Sequence, residues 1–79
     1  MAHNPHELAE EFPQDLEAIH TLKTSNAHFR RLFDQYHAVN AQIHRAETNV
    51  EPMEQLAEET LRKQRMHLKD EIAALIRAA

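Results

Sequence analysis

The sequence contains no cysteine and no glycine, and these two absences exclude several kinds of functional site. Without cysteine, the chain has neither disulfides nor thiolate metal ligands. Without glycine, it cannot form Gly-rich phosphate loops or nucleophile elbows, because those backbones need residues that lack a Cβ atom. Long apolar runs are also missing, so we predict no membrane-spanning segment, and the N-terminus lacks the basic-then-apolar pattern of a signal peptide.

Residues that favour β-strands and tight hairpins are scarce as well. Valine occurs at two positions and isoleucine at four, whereas Ala, Glu, Leu, Gln, Arg and Lys, which favour helices, dominate the chain. Hydrophobic residues make up 42% and charged residues 28%, a balance that favours a folded domain over a disordered segment. We therefore predict a single small all-α domain over residues 1–79.

The N-terminal part, residues 1–25, is predicted to be an acidic helical segment in two pieces. Asn4 is a candidate N-cap for a short helix that starts at Pro5 and continues to about Glu11. Pro13 disfavours helical geometry at the residue before it and starts the second piece. We expect this segment to carry the net negative charge, because it holds five acidic side chains and one lysine.

Two long helices follow, at residues 26–48 and 52–79. Ser25 or Asn26 caps the first of them, and Pro52 is expected to begin the second, which continues without an internal helix breaker. A connection of only about four residues requires the two helices to fold back on each other. The predicted fold class is an all-α antiparallel helical hairpin, coiled-coil-like, with a short N-terminal helix packed at its open end.

The apolar stripes of the two long helices predict how they pair. Residues that face each other are expected to be apolar on both helices, with one polar position on each stripe meeting the other. Because regular helices fill such a seam with side chains, we predict no pocket and no catalytic site. The predicted pairs are Ile43 with Ala57, Val39 with Leu61, Tyr36 with Gln64, Leu32 with Leu68, and Phe29 with Ile72.

Large apolar residues remain on the flanks of this hairpin and predict an interaction surface. Phe33, Leu56 and Met66 lie beside the paired stripes, and Ile76 lies in the part of the last helix that extends beyond the pairing, past Asn26. Since a domain of this size buries little surface alone, we expect a homo-oligomer, a dimer or larger, and allow for an unidentified protein partner. The alternative is a monomeric bundle with exposed flanks.

A second hypothesis is weak nucleic-acid binding by a basic face of the last helix. This face consists of Arg62, Lys63, Arg65 and Lys69, with Arg30 and Arg31 as further candidates. However, Glu58 and Glu59 precede Arg62 and Lys63 by four residues, which is the favourable order for ion pairs on a solvated helix. We therefore expect nucleic-acid binding to be the weaker hypothesis.

Seven histidines are the one unusual feature of the composition, but their spacing does not predict a metal site. His3 and His6 have a suitable separation but lie at a terminus, while His37 and His44 are about 10 Å apart along a helix. Thr21 and Ser25 are candidate nucleophiles because they lie near a histidine, but capping of a helix end explains their presence. We predict no metal, no cofactor and no catalytic residues. The histidine positions are 3, 6, 20, 28, 37, 44 and 67.

Several blocks of the sequence resemble the YdcH-like small bacterial proteins, a family that is defined as a domain of unknown function. The most specific blocks are Phe29-x-x-Leu32-Phe33 and Leu68-Lys69-Asp70-Glu71-Ile72, and the resemblance extends from Asn4-Pro5-His6-Glu7 across nearly the whole chain. Asn40 stands where many relatives have aspartate, and Ala27 where many have proline. The resemblance implies a cytoplasmic, bacterial, helical or coiled-coil protein, with no established activity, cofactor or partner.

Overall fold

The computed structural model describes residues 6–48 and 54–79, and these residues form four helices without any strand. The helices are α1 (Leu8–Glu11), α2 (Leu16–Ser25), α3 (Ala27–Glu47) and α4 (Gln55–Ala78). Helices α3 and α4 pack along each other, while α2 packs on α3 and also touches α4. The predicted helical hairpin with a short N-terminal helical part at its open end is confirmed.

Local chemistry explains where α3 begins. Asn26 has an extended backbone, and its side-chain Oδ1 accepts a hydrogen bond from the Phe29 backbone N–H at 3.0 Å. This bond satisfies one of the free N–H groups of the first helical turn. Ser25, the alternative cap, instead ends α2, where its hydroxyl donates to the Thr21 carbonyl at 2.7 Å. The predicted cap at Asn26 is therefore confirmed.

Three helix starts differ from the sequence expectation. Helix α2 begins at Leu16, after the N-cap Asp15, rather than at Pro13. Helix α1 begins at Leu8 rather than at Pro5, because His6 has a left-handed backbone with φ of 66° and Glu7 is extended. The predicted cap Asn4 lies outside the described residues. Helix α4 begins at Gln55, after the extended Glu54, and the predicted start at Pro52 also falls outside the described residues.

One hydrophobic cluster joins all four helices. Helices α1 and α2 each contribute one buried residue, Leu8 and Ile19, and the long helices contribute the rest. Leu61 packs against this cluster while partly buried, whereas Ala57 is exposed and lies outside it. The buried members on the long helices are Phe29, Leu32, Tyr36, Val39, Ile43, Leu68 and Ile72.

The predicted polar pair of Tyr36 with Gln64 is wrong. Gln64 is exposed, and the Tyr36 hydroxyl donates instead to the backbone carbonyl of His6 at 2.6 Å. A buried polar contact between the long helices involves Asn40, which is 1% exposed and accepts a hydrogen bond from Arg65 Nη1 at 2.9 Å. An apolar stripe shows which side of a helix faces the core, but it does not fix the rotation of the helix about its own axis to within one residue. The long side chain of Arg65 reaches the buried oxygen of Asn40, whereas the neighbouring Gln64 does not.

Candidate functional site

The four residues predicted as an interaction surface differ in their exposure. Phe33 is partly buried against the core and lies beneath α2, where the Lys23 ammonium is 4.2 Å from the centre of its ring. Ile76 is also partly buried against the core. Leu56 and Met66, in contrast, are 73% and 61% exposed on α4. The structure therefore divides the predicted set into two residues that support the fold and two that remain at the surface.

Leu56 and Met66 belong to a regular line of exposed residues along α4, which we call the α4 stripe. Its members are separated by three, four, three and four residues, the spacing of a coiled-coil seam. Sequence analysis missed the charged members because it searched for apolar stripes only, although the same spacing rule identifies them. The stripe consists of Leu56, Glu59, Lys63, Met66 and Asp70, all of which are exposed.

An apolar groove lies between α1, α2 and α3, so the expectation of no pocket is wrong. Its volume is about 550 Å³, and Leu8, Leu16, Ile19 and Phe33 are among the residues that line it. The long helices pack together as predicted. The space remains between the short N-terminal helices and α3, where small residues such as Ala38 line the groove. Leu16 is 51% exposed beside this space.

Polar contacts hold the N-terminal segment across the middle of the hairpin. Besides accepting the Tyr36 hydrogen bond, His6 places its ring Nδ1 3.2 Å from Glu11 Oε1. The same carboxylate oxygen lies 3.3 Å from Lys69 Nζ, which also lies 5.9 Å from the centre of the Phe12 ring. These contacts join α1 to both long helices, and no pattern in the sequence predicted them.

The electrostatics of this region follow from burial and from these contacts. Burial acts to raise the pKa of Glu11, but hydrogen bonds from His6 and Lys69, with their positive charges, outweigh it, and the pKa lies below its usual value. Burial, together with the nearby carboxylates of Glu11 and Glu7, raises the pKa of the Tyr36 hydroxyl to about 12, although Arg65 opposes the shift. The Tyr36 hydroxyl therefore remains a neutral donor at physiological pH.

Most of the basic side chains on the predicted nucleic-acid-binding face already contact acidic or polar side chains of the same chain. Arg62 Nη2 lies 2.8 Å from Glu58 and 3.3 Å from Glu47, and the hydrogen bond that Arg62 donates to Glu58 is the main reason that the Arg62 pKa is raised. Arg65 binds Asn40, and Lys69 binds Glu11. The predicted ion pair between Glu58 and Arg62 is confirmed. The predicted pair between Glu59 and Lys63 does not form within residues 6–48 and 54–79, where Glu59 accepts a hydrogen bond from Gln55 instead. The partners of Arg62, Arg65 and Lys69 reduce the positive charge that is available for phosphates.

The described histidines are scattered or lie beside carboxylates. His37 Nδ1 lies 3.2 Å from Glu7, and His67 Nε2 lies 3.3 Å from Glu71. Within residues 6–48 and 54–79, no three His, Asp or Glu side chains are close enough together to hold a metal ion. His3, one half of the candidate pair with His6, lies outside those ranges. None of the four helices is both long and apolar enough to cross a lipid bilayer.

The fold and its surface define a small helical-hairpin protein whose last helix carries an exposed stripe. Residues 29–76 match the DUF465 family, which is described as a protein of unknown function, and the chain belongs to that family. The matched range begins within α3 and ends near the end of α4, so it covers the hairpin and not the N-terminal helices. None of the curated proteins and none of the solved structures matches the chain.

Proposed function

We propose that this chain is a single-domain, non-enzymatic interaction protein of the cytoplasm that associates with itself through an apolar helix face. The observation that supports this proposal is the exposure of Leu56 and Met66 on α4, a helix whose opposite side is already packed against α3. Large apolar side chains that remain exposed on a folded helix occur at surfaces that bind another protein.

The size of the domain supports the same proposal. A chain of 79 residues buries a smaller fraction of its surface than a larger domain does, and association with a second copy adds buried area. The side chains of the α4 stripe are available for this purpose, because the buried residues of α4, Leu68 and Ile72, belong to the intramolecular core. Nucleic-acid binding has no comparable support, since Arg62, Arg65 and Lys69 are engaged within the chain.

The proposal is tested by replacing one exposed leucine and comparing it with another. Leu56→Glu places a charge on the α4 stripe, and we expect it to shift the mass measured by light scattering towards the 9.2 kDa of one chain. Leu16→Glu is the matched control, because it charges an exposed leucine on α2, away from the stripe. Circular dichroism establishes that both variants keep the helical content of the unmodified protein.

Two results would contradict the proposal. The unmodified protein could have the mass of one chain at every concentration, which would mean that it does not associate. Alternatively, Leu56→Glu could leave the mass of an associated species unchanged while Leu16→Glu dissociates it, which would locate the interface at the groove between the N-terminal helices and α3.

A further inference from the structure

The α4 stripe has the geometry of a helix–helix seam. Its spacing of three and four residues keeps Leu56, Lys63 and Asp70 in one line, with Glu59 and Met66 between them. At 3.6 residues per turn, this line lies roughly opposite the side of α4 that buries Leu68 and Ile72. A second helix can therefore pack on the stripe without disturbing the hairpin.

From Leu56 to Met66, the order of apolar and charged positions along the stripe is symmetric about the point midway between Glu59 and Lys63, and Asp70 lies beyond this part. Apolar side chains stand at the two ends of this part, Leu56 and Met66, and opposite charges stand between them, Glu59 and Lys63. A closed dimer of identical chains uses the same surface twice, so residue i of one copy meets residue j of the other and residue j meets residue i. When two such stripes run antiparallel about an axis midway between Glu59 and Lys63, the contacts of Leu56 with Met66 and of Glu59 with Lys63 are complementary. When they run parallel, each charge meets its own copy.

Building on the self-association proposed above, we infer that two copies of this chain join by antiparallel packing of their α4 stripes. Leu56 of each copy packs on Met66 of the other, and Glu59 of each copy pairs with Lys63 of the other. The two hairpins lie on the outer sides, so that the dimer places its two α4 helices in the middle.

The contacts within one chain leave the charged groups available for this pairing. Lys63 is exposed and makes no ion pair within residues 6–48 and 54–79. Glu59 accepts one long hydrogen bond, from Gln55 Nε2 at 3.4 Å, and is also exposed. In contrast, the neighbouring Arg62 and Glu58 neutralise each other at 2.8 Å. Lys63, which has no ion pair in those two ranges, and the weakly bound Glu59 are the two residues that the antiparallel arrangement brings together.

Charge reversal tests the pairing of Glu59 with Lys63. We expect Glu59→Lys to weaken the dimer roughly tenfold in sedimentation equilibrium, because symmetry creates two like-charge contacts from one substitution. Lys63→Glu should have the same effect, and the chain that carries both substitutions should dimerise as the unmodified chain does. Glu17→Lys makes the same charge change on the exposed side of α2 and should leave the dimer unaffected.

Cysteine cross-linking tests the direction of the two helices, and the absence of natural cysteines removes any background. In an antiparallel dimer, Leu56 lies about 15 Å along the axis from its own counterpart, beyond the reach of a disulfide. We therefore expect Leu56→Cys alone and Met66→Cys alone to remain uncross-linked under mild oxidation. An equal mixture of the two variants should form a disulfide-linked dimer.

The outcomes separate this inference from the self-association on which it rests. A mass of one chain at every concentration overturns both. A dimer that resists the charge reversals, or one in which Leu56→Cys cross-links with itself, overturns the antiparallel arrangement and leaves self-association standing. Loss of the dimer in each single charge variant, its return in the double variant and cross-linking only in the cysteine mixture support the inference.

Discussion

Removing the hydroxyl of Tyr36 tests whether its bond to His6 holds the N-terminal segment on the hairpin. Tyr36→Phe keeps the buried ring and removes only the 2.6 Å hydrogen bond to the His6 carbonyl. A hydrogen bond of this kind contributes about 0.5–1.5 kcal/mol to the free energy of unfolding. Because His6 is exposed, water can hydrate its carbonyl in the variant, and we expect a loss of about 1 kcal/mol.

The effect should be visible as both a global and a local change. For a domain of this size, a loss of about 1 kcal/mol lowers the melting temperature by about 4–8 °C. Hydrogen exchange should also show weaker protection of the α1 amides, such as Glu11 and Phe12, which donate to the carbonyls of Glu7 and Leu8. Amides in the middle of α3 should lose protection only to the extent that global stability falls.

A matched control separates this bond from a general effect of removing a hydroxyl. Thr24→Val removes a hydroxyl that donates to the Thr21 carbonyl at 2.9 Å on the exposed end of α2, and we expect a change of less than about 0.5 kcal/mol. The reasoning is refuted if Tyr36→Phe leaves both the melting temperature and the exchange of the α1 amides unchanged. It is also refuted if the two variants lose equal stability.

Three further predictions concern pH and the core. Tyr36 is the only tyrosine, so phenolate absorbance reports on it alone; the midpoint should be about 12 in the folded protein and near 10 in denaturant, and equal midpoints would contradict its burial. The stabilisation that the neutral Tyr36 hydroxyl provides is therefore fully present below pH 10 and is lost as the pH rises from 10 towards 12. Glu11→Gln should lower the free energy of unfolding at neutral pH, because it removes the charge that faces Lys69. The difference from the unmodified protein should shrink as the pH falls below 4.5 and through the lowered pKa that Glu11 has in the folded state. A difference that does not depend on pH would exclude the Lys69 contact as its cause. Ile72→Ala, at a fully buried position, should lower the free energy of unfolding by about 2–5 kcal/mol, as measured by urea titration. Ile76→Ala, at a partly buried position, should lower it by less. Similar losses in the two variants would be inconsistent with the described core.

The long helices could be predicted from the sequence because their signals are local. Asn26 caps the helix it was expected to cap, and α3 spans Ala27–Glu47 because no breaker interrupts its apolar period. The side of each helix that faces the core follows from the same period, which is why Leu32 and Leu68 are both buried in the core cluster.

The tertiary contacts of the N-terminal segment could not be predicted in the same way. Tyr36 binds a backbone carbonyl of His6, and a carbonyl is present at every residue, so no sequence pattern marks that partner. Asn40 stands where many similar proteins have aspartate, but this difference does not reveal that its side chain accepts a hydrogen bond from Arg65 in a buried contact. The spacing of the α4 stripe is regular and could be recognised from the sequence. It does not form an apolar pattern, however, because three of its five members are charged.

The central claim is that one chain forms the hairpin by itself and uses the outer face of α4 to join a second copy. Nuclear Overhauser effects in a mixture of isotope-labelled and unlabelled chains test both halves of this claim in one measurement. The account predicts that contacts of Leu68 and Ile72 with α3 occur within one chain, and that contacts between chains link Leu56 with Met66. Contacts between chains that link Leu68 or Ile72 with α3 would show that two copies exchange their helices, and would contradict it.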